Sequence, residues 1–260
     1  MKKTLIALAV AASAVVSGSA MAWAPQTGDF QGSIELGGTL SPVEKQLPWD
    51  IKTGTAVNDL SGTILKSSTS ASITVNKDIP VLGIRNHSNN GFVGGQGITP
   101  QVDYKNAVNV DGFSNGMTTL TLDVNDAQAN NKIGTMTVRF MASAVASNTD
   151  TKLPLIAPDK GNAFFGGIGK SGEAIIQGMG SAEIAISRFF PDVFDTFGVK
   201  DTAPIMGYTN YQFDNGNYTY YGFYGSGIPS DSVINITLDA PAAAGDIAWK
   251  ASLPVTVSYM

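Results

Sequence analysis

The stretch with the most chemical suggestion is Gly167-Ile168-Gly169-Lys170-Ser171-Gly172, which satisfies G-x-G-x-x-G and ends at Gly169-Lys170-Ser171 like a phosphate loop. Such a loop works because glycine N–H groups cradle phosphate and the lysine neutralises it. It needs a glycine five residues before Gly169 and a strand–loop–helix context. Phe164 occupies that position and no βαβ pattern surrounds it, so nucleotide binding is set aside. His87 is the sole histidine, in the Asn/Gly-rich run 86–97, and there is no cysteine. A histidine-rich metal site or a Ser-His-Asp triad would hang on that one residue. No G-x-S-x-G, H-E-x-x-H or paired-cysteine spacing appears, so His87 reads as a surface-loop residue with no cofactor or metal to hold. A carboxylate pair for glycoside hydrolysis could assemble from distant segments, and that alternative stays open.

A second grouping is aromatic: Tyr208, Tyr211, Tyr218, Tyr220, Tyr221, Phe223 and Tyr224. Tyr218, Tyr220 and Tyr224 share one face of an extended strand, which favours cross-strand packing. The functional alternative is a sugar-binding surface, where rings stack on C–H patches and nearby Asn or Asp side chains bond the hydroxyls. Tyr218, Tyr220, Tyr221 and Phe194 are the candidates for it.

The elements that would position these residues are strands. Alternating apolar positions recur at Ile73 and Val75; at Leu120, Leu122 and Val124; at Met136, Val138 and Phe140; and at Ile234, Ile236 and Leu238. A last alternation, Ala251, Leu253, Val255, Val257 and Tyr259, predicts one strand over 249–259. Turn clusters such as Asn89-Asn90-Gly91 and Asp214-Asn215-Gly216-Asn217 separate them. With 29 glycines and only 14% charged residues, the composition is that of an all-β sandwich. One stripe has helical spacing instead: Ile186, Phe189, Phe190, Val193, Phe194 and Phe197, with Gly198 to close it and Pro191 predicting a kink or a helix start. Together with the glycine-rich 162–180 it reads as an insertion at about 159–200 whose aromatics pack on the sandwich.

The chain opens with Met1-Lys2-Lys3, an apolar run and Ala20-Met21-Ala22, the pattern of a secretory signal cleaved after Ala22. Loss of that segment, which has two lysines and no acid, takes the net charge from −5 to −7 and argues against nucleic acid as a partner. An exported chain without cysteine must hold together by burial and hydrogen bonding, feasible when ~70% of the unfolded surface can be buried.

Shortly after the cleavage point, Phe30, Gly32, Ile34 and Leu36 fall on one face of a strand, and Asp29, Gln31, Ser33 and Glu35 on the other. Glycine within a strand marks close backbone approach or a shallow spot in a groove. A terminal strand of this kind can be lent to a neighbour.

These two ends resemble the pilin subunits of the chaperone/usher pathway, which have an N-terminal extension alternating about a glycine and a closing strand with a penultimate tyrosine. More closely, Met1 to Ala9, Thr27 to Gly38 and Trp249 to Tyr259 are similar to FaeG-like major fimbrial subunits and adhesins of enterotoxigenic enteric bacteria. The resemblance implies an incomplete immunoglobulin-like sandwich completed by a donor strand, with a small helix-containing insertion. It implies 1–22 as signal peptide, 23–40 as donor-strand extension and 41–260 as the pilin sandwich. Phe30, Gly32, Ile34 and Leu36 would donate; Leu253, Val255, Val257, Tyr259 and Met260 would form the edge that receives a chaperone strand and then a subunit strand. Implied partners are identical subunits, a periplasmic chaperone, an outer-membrane usher and a host carbohydrate receptor, with export through the periplasm to the surface fimbrium and no enzymatic role. An outer-membrane β-barrel and a secreted glycan-binding or glycan-hydrolysing sandwich are the alternatives.

Overall fold

A computed structural model describes residues 25, 27–29, 36–42, 46–148, 151–177, 180–198 and 207–260. The chain divides into two units, Met1–Lys45 and Gln46–Met260. The described residues of the first form no helix or strand; Leu36 and Leu40 there are 94% and 97% exposed. Phe30, Gly32 and Ile34 lie outside the described residues.

Among the described residues the second unit is mostly β with one short α-helix. Its strands are β1 (Trp49–Thr53), β2 (Ser70–Thr74), β3 (Ile79–Asn86), β4 (Phe92–Val93), β5 (Pro100–Asp103), β6 (Met117–Asp126), β7 (Lys132–Asn148), β8 (Thr151–Pro154), β9 (Thr219–Ile228), β10 (Val233–Leu238), β11 (Trp249–Lys250) and β12 (Thr256–Tyr259). All but β5 and β12 join one branched sheet whose ladders are antiparallel. β7 is its spine. The first half of β7 pairs with β6 and, through Thr137↔Asn235, with β10; its second half, from Met141↔Gly227 to Asn148↔Tyr220, pairs with β9. β10 continues to β2, and β9 to β3 and β1.

The two halves of β7 have different physics. Up to Phe140 it alternates as expected, with Met136, Val138 and Phe140 buried. From Met141 to Ser147 every residue is buried, because both faces are covered. Ala142, Ala144 and Ala146 join the main core with Leu82, Ile84, Leu120, Phe164 and Tyr224, while Met141 and Val145 join a second cluster under the helix.

That helix, α1, runs Ser181–Phe189 and buries Ala182, Ile186 and Phe189. The expected kink or start at Pro191, and closure at Gly198, are corrected: the helix stops with Phe190 as its C-cap. Proline disfavours helical backbone in the residue before it and has no N–H to continue the ladder. The chain then turns, bringing Phe190, Val193 and Phe197 onto the same cluster. The stripe therefore packs on the sheet although only Ile186 and Phe189 of its six members are helical. Glycines make room: a Cβ on Gly225 would lie 2.4 Å from Ile186 Cγ2, and one on Gly227 2.5 Å from the Phe189 ring.

The C-terminal expectation is corrected too. The segment 249–259 is not one strand but two: β11 pairs with β6, and β12 with β5. Pro254 lies between them and has no N–H to donate to a ladder.

Candidate assembly edge

β12 pairs antiparallel with β5 from Thr256↔Asp103 to Tyr259↔Pro100. Reciprocal bonds between Met260 and Thr99, at 3.0 and 3.1 Å, extend the ladder. The other side of β5 is held, since Val102 N–H donates to Phe165 C=O at 2.8 Å. Among the described residues β12 has no second ladder, so it is an edge strand.

Its side chains keep the period of two. Ala251, Leu253, Val255, Val257 and Tyr259 are half-buried against the main core, while Ser252, Pro254, Thr256, Ser258 and Met260 are exposed. Val57, Leu60 and Ile64, on the strandless segment between β1 and β2, are likewise half-covered by that core. Natural edges are usually blunted with lysine or other charges. From Ala251 to Met260 there is no charged residue. Opposite Thr256, Asp103 pairs with Lys105 Nζ at 2.6 Å, and that bond holds its carboxyl below the usual range. An apolar edge with free backbone groups on one side can accept another strand.

The four aromatic candidates for sugar binding do not form one surface: Tyr218 and Tyr220 meet edge-on at 6.1 Å, but Tyr221 and Phe194 pack elsewhere. Tyr220 is buried (4% exposed) among Phe92, Tyr211 and Phe213, facing the main core. Tyr221 and Phe194 belong to the opposite face of β9, packed edge-on against Phe197 and Phe223 at 5.6 and 4.1 Å. Tyr218, 43% exposed, offers a ring to solvent. The phosphate-loop lookalike serves packing: positions 167 and 169 are glycine where Tyr224, Val102, Phe113 and Ala174 fill the space, and Lys170 pairs with Asp111. His87 is exposed and bonds Asp50 Oδ1 through Nδ1 at 2.7 Å; that bond holds Asp50 below its usual range. A buried hydroxyl cluster of Tyr104, Tyr224 and Ser226 had no signal in the sequence, because Tyr104 lies 120 and 122 residues from its two partners.

A profile of the family described as "Fimbrial, major and minor subunit" matches residues 1–260. The chain belongs to this family. It is similar to the K88 fimbrial protein AC and the F41 fimbrial protein of Escherichia coli, each 29% identical over 291 and 287 aligned positions that span both chains completely. The K88 fimbrial protein AD of Escherichia coli is 44% identical over 85 residues, 32% of this chain and 29% of that one. As a member of the K88/F41 group, this chain is a non-enzymatic structural subunit of a cell-surface fimbria, and such subunits polymerise. The barrel and hydrolase alternatives give way to that assignment.

Proposed function

We propose that this subunit builds the main shaft of its fimbria by donor-strand exchange. The residues 23–40, after removal of 1–22, add to the open side of β12 in the next subunit, with Phe30, Ile34 and Leu36 pointing to the core and Gly32 at a shallow point. The observation that carries this reading is the uncharged, half-buried alternation from Leu253 to Tyr259, which leads into β12, paired along one side only among the described residues. Burial of Phe30, Ile34 and Leu36 contributes roughly 1.5–3 kcal/mol each before the backbone ladder is counted. The added strand completes an immunoglobulin-like sandwich in the remaining 41–260, of which 159–200 is an insertion. A periplasmic chaperone covers the same edge before an outer-membrane usher hands the subunit on.

The fibre serves adhesion to host glycoconjugates, with Tyr218 as the exposed ring of the receptor surface. Many weak copies along one fibre gain by multivalency. Electrophoresis of surface material with and without boiling in detergent tests the assembly. A ladder that collapses to monomer on boiling is expected, since a chain without cysteine has no disulfide to hold it. Monomer in both lanes overturns the proposal.

A further inference from the structure

Three Asn-Gly pairs occur, at Asn90-Gly91, Asn115-Gly116 and Asn215-Gly216. In such a pair the glycine nitrogen can attack the asparagine side-chain carbonyl, provided that its N–H is free to turn and lose its proton. At Gly116 that N–H donates to Ala174 C=O at 2.7 Å and the residue is buried. At Gly91 it donates to Ser88 C=O at 3.0 Å. At Gly216 it has no acceptor among the described residues, and Asn215, Gly216 and Asn217 are all exposed.

The electrophile is prepared at the same place. Asn217 N–H donates to Asn215 Oδ1 at 3.0 Å, polarising the carbonyl and meeting the negative charge that develops on that oxygen during attack. Asn115 Oδ1 also accepts a backbone N–H, from Gln177 at 3.0 Å, but its glycine is tied. Asn215 alone of the three combines an activated carbonyl with an untethered nucleophile.

We propose that Asn215 is a self-modification site, converting to aspartate and isoaspartate without an enzyme. Gly216 N bonds to Asn215 Cγ and gives up its proton; the Cγ–Nδ2 bond breaks and nitrogen leaves as ammonia. The resulting five-membered imide is opened by water at either carbonyl. Aspartate places a new negative charge beside Asp214 and Tyr218. Isoaspartate lengthens the main chain by one methylene just where Asn215 C=O sits against Gly94, whose Cβ would lie 2.3 Å from that oxygen. The turn ends at Thr219 and Tyr220, which pair with Val93 and Phe92, so the change loosens the anchorage of β4.

The test is peptide mapping by mass spectrometry of the full-length subunit, incubated folded and in concentrated urea at mildly alkaline pH. In the folded protein position 215 converts at least about fivefold faster than 90 or 115, the rate cost of one backbone hydrogen bond at the slower sites. In urea the three rates converge. Gly216→Ala, which has room since its Cβ would stand 3.6 Å from Gly94 O, slows position 215 and leaves the others unchanged. The proposal is overturned if folded 215 is no faster than the other two, or if its preference persists in urea.

Discussion

The hydroxyls of Tyr104 and Tyr224 meet at 2.7 Å inside the core, although 120 residues separate them. Tyr104 also lies 2.8 Å from Ser226 Oγ; Tyr224 donates to Gly167 C=O at 3.2 Å, and Ser226 to Leu82 C=O at 3.3 Å. Tyr104 directly follows β5, so these bonds tie the strand that carries the assembly edge to β9, β3 and the glycine-rich loop. Removing either tyrosine hydroxyl leaves the others partnered, and Tyr104→Phe is expected to cost about 1 kcal/mol. Urea unfolding of the purified subunit measures it, and a loss above about 3 kcal/mol would contradict the redundancy.

The same pair predicts alkaline sensitivity. Burial pushes the Tyr104 hydroxyl up to about 12, and burial together with the Tyr104 neighbour raises Tyr224 well above 10. An unfolded tyrosine loses its proton near 10, before the folded one does. The stabilisation is therefore whole below pH 10 and is lost as pH rises from there through about 12. Tyr104→Phe should flatten that loss, read as unfolding midpoint against pH; an unchanged slope would place the sensitivity elsewhere.

Gly225→Val tests the seat of the helix. The new side chain meets Ile186, whose Cγ2 would lie 2.4 Å from its Cβ, and overpacking of this kind costs about 1–3 kcal/mol. Thermal unfolding should fall accordingly, and pairing it with Ile186→Ala should restore part of the loss. No recovery in the double variant would mean that the strain does not lie between these two residues.

Arg188, in the last turn of α1, grips Asp78 through Nε and Nη2 at 3.0 and 2.7 Å, while Ser230 N–H donates to the same carboxylate at 2.7 Å. Partial burial pulls the Asp78 pKa upward, but the Ser230 N–H and the Arg188 guanidinium outweigh it and hold it below the usual range. A depressed carboxylate contributes stability above its unfolded value of 3.8 that disappears as pH falls through the folded one. Asp78→Asn should remove that acid-side slope and cost about 1 kcal/mol at neutral pH. A slope identical to the parent's would show that Asp78 does not supply it.

On the assembly edge, Val257→Asp should leave a folded subunit, because Val257 is only half-buried, yet abolish the detergent-resistant ladder. Gly32→Leu and Ile34→Asp should do the same from the donating side while keeping chaperone-bound monomer. Normal fibres from all three would remove these residues from the joint.

For the receptor surface, Tyr218→Ala should lower fibre binding to intestinal glycoconjugates, and Phe194→Ala should not, since Phe194 packs on Phe223. Equal losses would argue for a folding effect at both positions.

Period-two alternation located the strands that are covered on one face, since a half-buried strand writes its orientation into every second residue. It did not reveal the second half of β7, where Met141 to Ser147 are covered on both faces and the alternation vanishes. The helical stripe was legible as a packing surface and, up to Phe189, as a helix; beyond it Phe190, Val193 and Phe197 reach the same cluster from turns. The aromatic cluster misled in one respect: neighbouring residues of a strand point to opposite faces, which separates Tyr220 from Tyr221. Composition and spacing alone establish which residues are apolar at which period, that no disulfide staples the chain, and that both ends alternate. Which alternating strand stays half-covered is set by tertiary contacts. That depends on the pairing of β12 with β5 and on its having no second ladder among the described residues, which are properties of distant segments meeting rather than of any local run of residues.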